Sequence, residues 1–94
     1  MKKIVALFNV VGYTAEQYSH VVKEMEAAGK MIDPAYISHT VAQQTDGLLI
    51  IDVWETEAAL NKFAEALVPV LIKNGVTPAQ PTVLPLLTIK AGVN

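Results

Sequence analysis

His39 and Asp52 are the two residues of this chain whose types and spacing suit acid–base chemistry. Between them lies Asp46-Gly47, the strongest short signal for a β-hairpin with a two-residue type I′ turn. With that turn, Thr45 pairs with Leu48, Val41 faces Asp52 and His39 faces Trp54. His39 then lies diagonally across from Asp52, within reach on the same side of the sheet. A one-residue slip would part them, because successive side chains point to opposite faces. The expected cluster is an imidazole tuned by a carboxylate beside an aromatic wall. Its chemistry is that of a general base or of a binder of polar groups, with Asp52 holding the tautomer of His39. The same residues admit a structural role. A buried carboxylate needs a partner, and the pair can satisfy itself or bond the backbone or a helix end. Trp54 is either packing or a platform for a ligand.

Three further residues join the candidates. Asn9 is a lone polar side chain within an apolar run, so it either enters the same pocket or bonds a neighbouring strand. Tyr13 and Tyr18 stand at the mouth of the first helix, where they either rim a pocket as ligand contacts or pack. His20 lies off the apolar stripe of that helix and is expected to be solvated.

Other chemistries lack their residues. There is no cysteine, which removes disulfides, thiolate catalysis and zinc–thiolate sites. No spacing argues for a Ser–His–Asp set, and no glycine-rich phosphate loop is present. Only His39 and Asp52 converge, too few for a metal, so neither metal nor cofactor is expected. Net charge is −2 and the longest basic run is Lys2-Lys3, which is no footprint for nucleic acid. Lys2-Lys3 before the apolar run Ile4 to Val11 looks somewhat like a signal peptide. That run is short, contains Asn9 and has no small-residue cleavage site. No stretch reaches the roughly 20 apolar residues that span a bilayer. The expectation is a cytoplasmic protein, off the membrane.

The elements that must hold the candidates follow from periodicity. Ile4 to Val11 reads as a buried strand. Thr14 caps a helix, with Gln17 completing a capping box, and Tyr18, Val21, Val22 and Met25 form its apolar stripe. Gly29 and Lys30 stop it, and Asp33-Pro34 makes a turn. Tyr36 to Gln44 is a second strand, with Ile37, His39 and Val41 on one side and Tyr36, Ser38, Thr40 and Ala42 on the other. Leu48 to Trp54 is a third. Thr56 caps a second helix with a stripe of Leu60, Phe63, Ala64, Leu67 and Leu71, which Pro69 should kink or end near Val68. Asn74-Gly75 closes it. Thr82 to Ile89 is the last strand, an edge because of Pro85. The tail Ala91 to Asn94 is expected to be loose.

These 94 residues are expected to form one domain, 1–94, of the α+β class. The order βαββαβ folds as a ferredoxin-like four-stranded antiparallel sheet, spatial order 4-1-3-2, with both helices on one face. The two strands that are apolar on both sides fall in its centre. The composition is 52% hydrophobic and only 17% charged, against about 25% charged in ordinary domains. The sheet face without helices would then expose an apolar patch that a lone monomer rarely tolerates. A homodimer, sheet against sheet, is expected.

Asp52-Val53-Trp54-Glu55-Thr56, followed by a helix with Glu57-Ala58 and an aromatic residue, resembles the dimeric α+β barrel superfamily. That superfamily includes antibiotic biosynthesis monooxygenase-like proteins and many small bacterial proteins. Gly12 to Tyr18 is similar to its opening of the first helix, and Leu67-Val68-Pro69 to its second helix. His39 matches a His of the second strand in one branch. The resemblance spans about Ile4 to Leu87. It implies a dimeric α/β barrel with ligand pockets between sheet and helices. It also implies chemistry like that of cofactor-independent oxygenases acting on polyphenols or quinols. Heme-degrading relatives share Asn9, but carry Trp near Phe63 and His near Lys73, and both are absent here. The branch often ends its last strand with His-Asn, where this chain has Leu87-Thr88. Two functions stay open. One is a monooxygenase-like enzyme acting on a small aromatic or quinol-type molecule. The other is a non-catalytic small-molecule-binding or pathway accessory dimer.

Overall fold

A run rich in β-branched residues, with Phe8 among them, builds β1 (Ile4–Val11). Gly12 leaves it at φ +81°, a conformation that L side chains rarely adopt. Helix α1 (Ala15–Ala27) begins with the expected reciprocal cap: Gln17 N donates to Thr14 Oγ1 at 3.1 Å, and Thr14 N donates to Gln17 Oε1 at 3.0 Å. It ends at Gly29, where Lys30 N donates to Met25 O and Gly29 N to Glu26 O, both at 2.9 Å. The Asp33-Pro34 turn leads into β2 (Tyr36–Gln43), which pairs with β3 (Gly47–Trp54). Thr56 caps α2 (Glu57–Lys73), and β4 (Thr82–Pro85) closes the chain of elements. This computed structural model describes residues 2–30 and 33–90; the tail expected to be loose lies outside the described residues.

The sheet is antiparallel throughout, in the order β2-β3-β1-β4. That is the expected 4-1-3-2 read from the other edge. The fold is α+β and ferredoxin-like, with the two doubly apolar strands central. One sheet face carries Ile4, Ala6, Phe8 and Val10 of β1 opposite Trp54, Asp52, Ile50 and Leu48 of β3. Both helices pack there, Val21 and Met25 of α1 against Val10 and Leu48, and Leu60 of α2 against Ile4, Ala6 and Trp54. The other face carries Val5, Leu7, Asn9, Leu49 and Ile51, with Leu84 of β4 beside Val5.

Four local expectations are corrected. The hairpin does not turn at Asp46-Gly47. Gln44 N donates to Gly47 O at 2.8 Å, so Thr45 and Asp46 make the turn. A type I′ turn needs positive φ at both central residues, and no described non-glycine residue has it. Gly47 serves instead as a strand residue opposite Val11, where a Cβ would run into the Val10 carbonyl oxygen. The β2–β3 register is therefore displaced by two positions: His39 lies directly opposite Asp52, and Val41 opposite Ile50.

Strict alternation also fails in β2. A β-bulge inserts an extra residue between Tyr36 and Ser38, so that Tyr36 faces Trp54 while Ser38 faces Val53. Tyr36 thereby joins His39 on the helix side. Of the two outcomes expected at Pro69, a kink or a stop, the stop does not occur: α2 runs on to Lys73. Proline removes one hydrogen bond, and the turn beyond it is held by Val70 and Leu71 packing on the core and by Asn74 Nδ2 donating to Val70 O at 2.8 Å. Strand β4 stops at Pro85, well short of Ile89: Pro85 lies opposite Ile4, the first residue of β1, and beyond it Leu86 N still donates to Lys3 O at 2.9 Å. Its edge position is as expected.

Candidate functional site

Asp52 sits mid-strand in β3 on the helix-facing side, and its side chain is only 7% exposed. A carboxylate so placed must be hydrogen-bonded. Two donors reach Oδ1: His39 Nδ1 at 2.7 Å and the Tyr36 hydroxyl at 3.1 Å. His39 stands directly across on the edge strand β2, with its side chain 30% exposed. The Tyr36 hydroxyl also approaches His39 Nδ1 at 2.5 Å. The carboxylate only accepts, which places a proton on Nδ1. Nε2 is then the basic nitrogen of the ring, and it meets the Tyr18 hydroxyl of α1 at 2.6 Å. Asp52, His39 and Tyr18 thus form one hydrogen-bonded line from a buried strand to a helix, with Tyr36 bracing its inner end.

The line opens on a cavity of about 310 Å³ between the sheet and the two helices. Phe8, Val10 and Ile50 form its floor, and α1, α2 and the loop around Pro78–Pro81 form its walls. Its polar side chains include Tyr13, Tyr18, Tyr36, His39 and Asp52, with Asn61 and Gln80 on the side of α2 and the loop. No Lys or Arg lines it among the described residues. A largely apolar pocket with a few convergent polar groups is the usual form of a small-molecule site.

The three phenols stay protonated at neutral pH. Burial pushes the Tyr13 hydroxyl up to about 12, with Tyr18 adding to the effect. Burial raises Tyr18, and the Asp52 charge raises it further. Tyr36 is raised by burial, then by the Asp52 charge and its hydrogen bond to Asp52. Tyr18 and Tyr36 therefore enter the network as protonated hydroxyls.

The sequence candidates divide. His39, Asp52 and Tyr13 line the cavity. Trp54 does not. It is 0% exposed, stacked behind Tyr36 with centroids 4.3 Å apart and tilted against Phe63 at 5.2 Å. Asn9 points to the opposite sheet face, where its Oδ1 accepts from Gln44 Nε2 at 2.9 Å. It bonds a neighbour and stays out of the pocket. Strict alternation puts Tyr36 on the wrong side, since nothing in an alternating pattern announces a bulge. Tyr18 did carry a signal. It starts the apolar stripe of α1, so its hydroxyl has to meet the sheet. Among the described residues no group of three or more His, Cys, Asp or Glu gathers as a metal centre would require.

No family model and no curated protein matches the sequence. Solved structures do match the fold. The chain is similar to SnoaB, a cofactor-independent oxygenase from Streptomyces nogalater, at 19% identity and a TM-score of 0.60 over 93% of both chains. It is similar to the monooxygenase ActVA-Orf6 of Streptomyces coelicolor, solved with nanaomycin D, at 18% identity and a TM-score of 0.51, covering 99% of this chain and 92% of that one. A protein of the antibiotic biosynthesis monooxygenase type from Chloroflexus aurantiacus matches at 12% identity and a TM-score of 0.57, over 95% of both chains. Identities this low speak to architecture alone, and the architecture agrees in element order and sheet topology. This chain is built on the ferredoxin-like α+β fold of the antibiotic biosynthesis monooxygenase-like proteins.

Proposed function

We propose that this protein is a monooxygenase-like enzyme that binds a small aromatic phenol or quinol in the cavity and activates it by removing a hydroxyl proton. The observation that carries the reading is the Asp52–His39 pair opening on a cavity of about 310 Å³. The apolar floor suits a planar ring, and the polar line suits its hydroxyl. A proton taken by the His39 imidazole leaves an electron-rich phenolate, and Asp52 offsets the charge on the ring it is bonded to. The phenolate then supplies electrons to dioxygen, so the substrate itself is the reductant. The solved oxygenases on this fold support that chemistry as a reading for this chain.

The proposal includes a homodimer. The sheet face opposite the helices presents Val5, Leu7, Leu49 and Ile51, with Val11 67% and Leu84 49% exposed, and a second copy is the simplest cover for such a surface. Sedimentation at micromolar concentration tests it, and a stable monomer contradicts it.

Oxygen uptake with dihydroxynaphthalene, followed by electrode, tests the enzymatic reading. The wild-type protein is expected to accelerate uptake and His39→Ala to lose the acceleration. One observation favours the second reading, a non-catalytic binder: both ring nitrogens of His39 already have protein partners. Saturable binding of naphthol without any oxygen uptake would establish that reading instead.

A further inference from the structure

His39 is the base of the proposed reaction, yet both of its nitrogens already have hydrogen-bond partners. Nδ1 is committed to Asp52 and Tyr36. Nε2, the basic nitrogen, is met at 2.6 Å by the Tyr18 hydroxyl. A substrate proton can therefore reach Nε2 in only two ways, by displacing Tyr18 or by passing through it.

The setting of Tyr18 favours passage. Its ring is held edge-on by Tyr13, centroids 6.0 Å apart, and Tyr13 is itself buried at 3% exposure. It lies nearly parallel to the His39 ring, 12° between planes. Its helix is pinned by Val21 and Met25 in the core and by the capping box one turn earlier. Swinging the ring away would break the hydroxyl contact and strip the cover from Tyr13. Tyr18 also lines the cavity, so a ligand hydroxyl can approach its oxygen from the other side.

Resting on the proposed function, we infer that Tyr18 is a catalytic residue: it touches the substrate hydroxyl and relays its proton to His39. The step balances without a free tyrosinate. The substrate O–H bond breaks and its proton forms a new O–H bond on Tyr18. In concert the former Tyr18 proton leaves for Nε2. The products are a substrate phenolate and a His39 imidazolium paired with the Asp52 carboxylate, and Tyr18 ends neutral as it began. The raised affinity of the Tyr18 oxygen for its proton suits a group that hands a proton on at the moment it takes another.

The test uses naphthol and dihydroxynaphthalene as probes on wild type and Tyr18→Phe. Bound naphthol reports the proton step alone, through the absorbance of its anion; oxygen uptake with dihydroxynaphthalene reports turnover. Wild type is expected to ionise bound naphthol. Tyr18→Phe is expected to lose that signal and about 100-fold in kcat, the lower range for a general base, with KM changed far less. Unchanged thermal melting of the variant separates this loss from a packing defect. If Tyr18→Phe ionises naphthol and turns over as fast as wild type or faster, the hydroxyl is a plug and the relay is overturned. If wild type ionises naphthol without oxygen uptake and Tyr18→Phe does not ionise it, the relay stands and the oxygenase reading falls. If wild type does neither, both fall.

Discussion

The helix-facing side of the sheet has a closed end and an open end, and they use aromatic residues differently. At the closed end Trp54 is covered by Tyr36 and Phe63, and Leu60, Ile4 and Ala6 complete a packed cluster. At the open end, one pair of residues along the same strands, Asp52 and His39 stand at a cavity. Tyr36 belongs to both: its ring covers Trp54 and its hydroxyl bonds Asp52. The lesson is that a large aromatic next to a polar pair need not be the ligand platform. Here Trp54 is the buttress that fixes Tyr36, and Tyr36 in turn fixes the carboxylate.

Four outcomes would break or sharpen that contrast. The largest belongs to the closed end. Trp54→Ala is expected to lose about 3–5 kcal/mol in urea unfolding, the usual result of emptying a well-packed aromatic site. A loss under about 1 kcal/mol would deny Trp54 its role as buttress. Next is the carboxylate of the open end. Asp52→Ala leaves the His39 N–H and the Tyr36 hydroxyl without their acceptor, at about 1–3 kcal/mol by the same measurement.

The third outcome concerns pH. The Tyr13 hydroxyl ionises near 10 in an unfolded chain and at about 12 in the folded one. Below pH 10 both states keep the proton, and the stabilisation is fully present. As pH rises from 10 towards 12 the unfolded chain alone releases it, so stability falls. Tyr18 and Tyr36 are raised as well and act in the same direction. Tyr13→Phe is expected to flatten part of this alkaline decline in urea melts on either side of pH 10, and an unchanged slope would count against burial as its cause. The smallest effect is His39→Ala. Asp52 loses one of its two donors but keeps the Tyr36 hydroxyl, so stability should fall by about 1 kcal/mol, while naphthol binding or turnover is lost. A large loss of stability without loss of binding would make His39 a structural residue.

The architecture was legible because it is written in local and periodic features. The capping box of Thr14 and Gln17, the stop at Gly29 and the cap at Thr56 each involve residues within one turn of each other. The central places of β1 and β3 followed from their being apolar on both sides, since a middle strand is covered twice. The pairing of His39 with Asp52 was also readable, although the register was displaced by two positions. An even displacement keeps side chains on the same face, so the cluster survived a misplaced turn.

What no period within a single segment could reveal was decided by contact between segments. Gly47 is drawn out of the turn because β1 approaches too closely for any side chain there. The bulge at Tyr36 depends on packing over Trp54, and Asn9 faces away because alternation in β1 is tied to which residues the helices cover. Tyr18 meets His39 across 21 positions of sequence, a distance that only the docking of α1 on the sheet can close. Side-chain chemistry and spacing thus determined which groups were present and, away from the bulge, which of them share a side of a strand. The cavity, the cover over Trp54 and the line from Asp52 to Tyr18 came from packing the helices onto the sheet, because burial and hydrogen-bond reach are properties of pairs of elements.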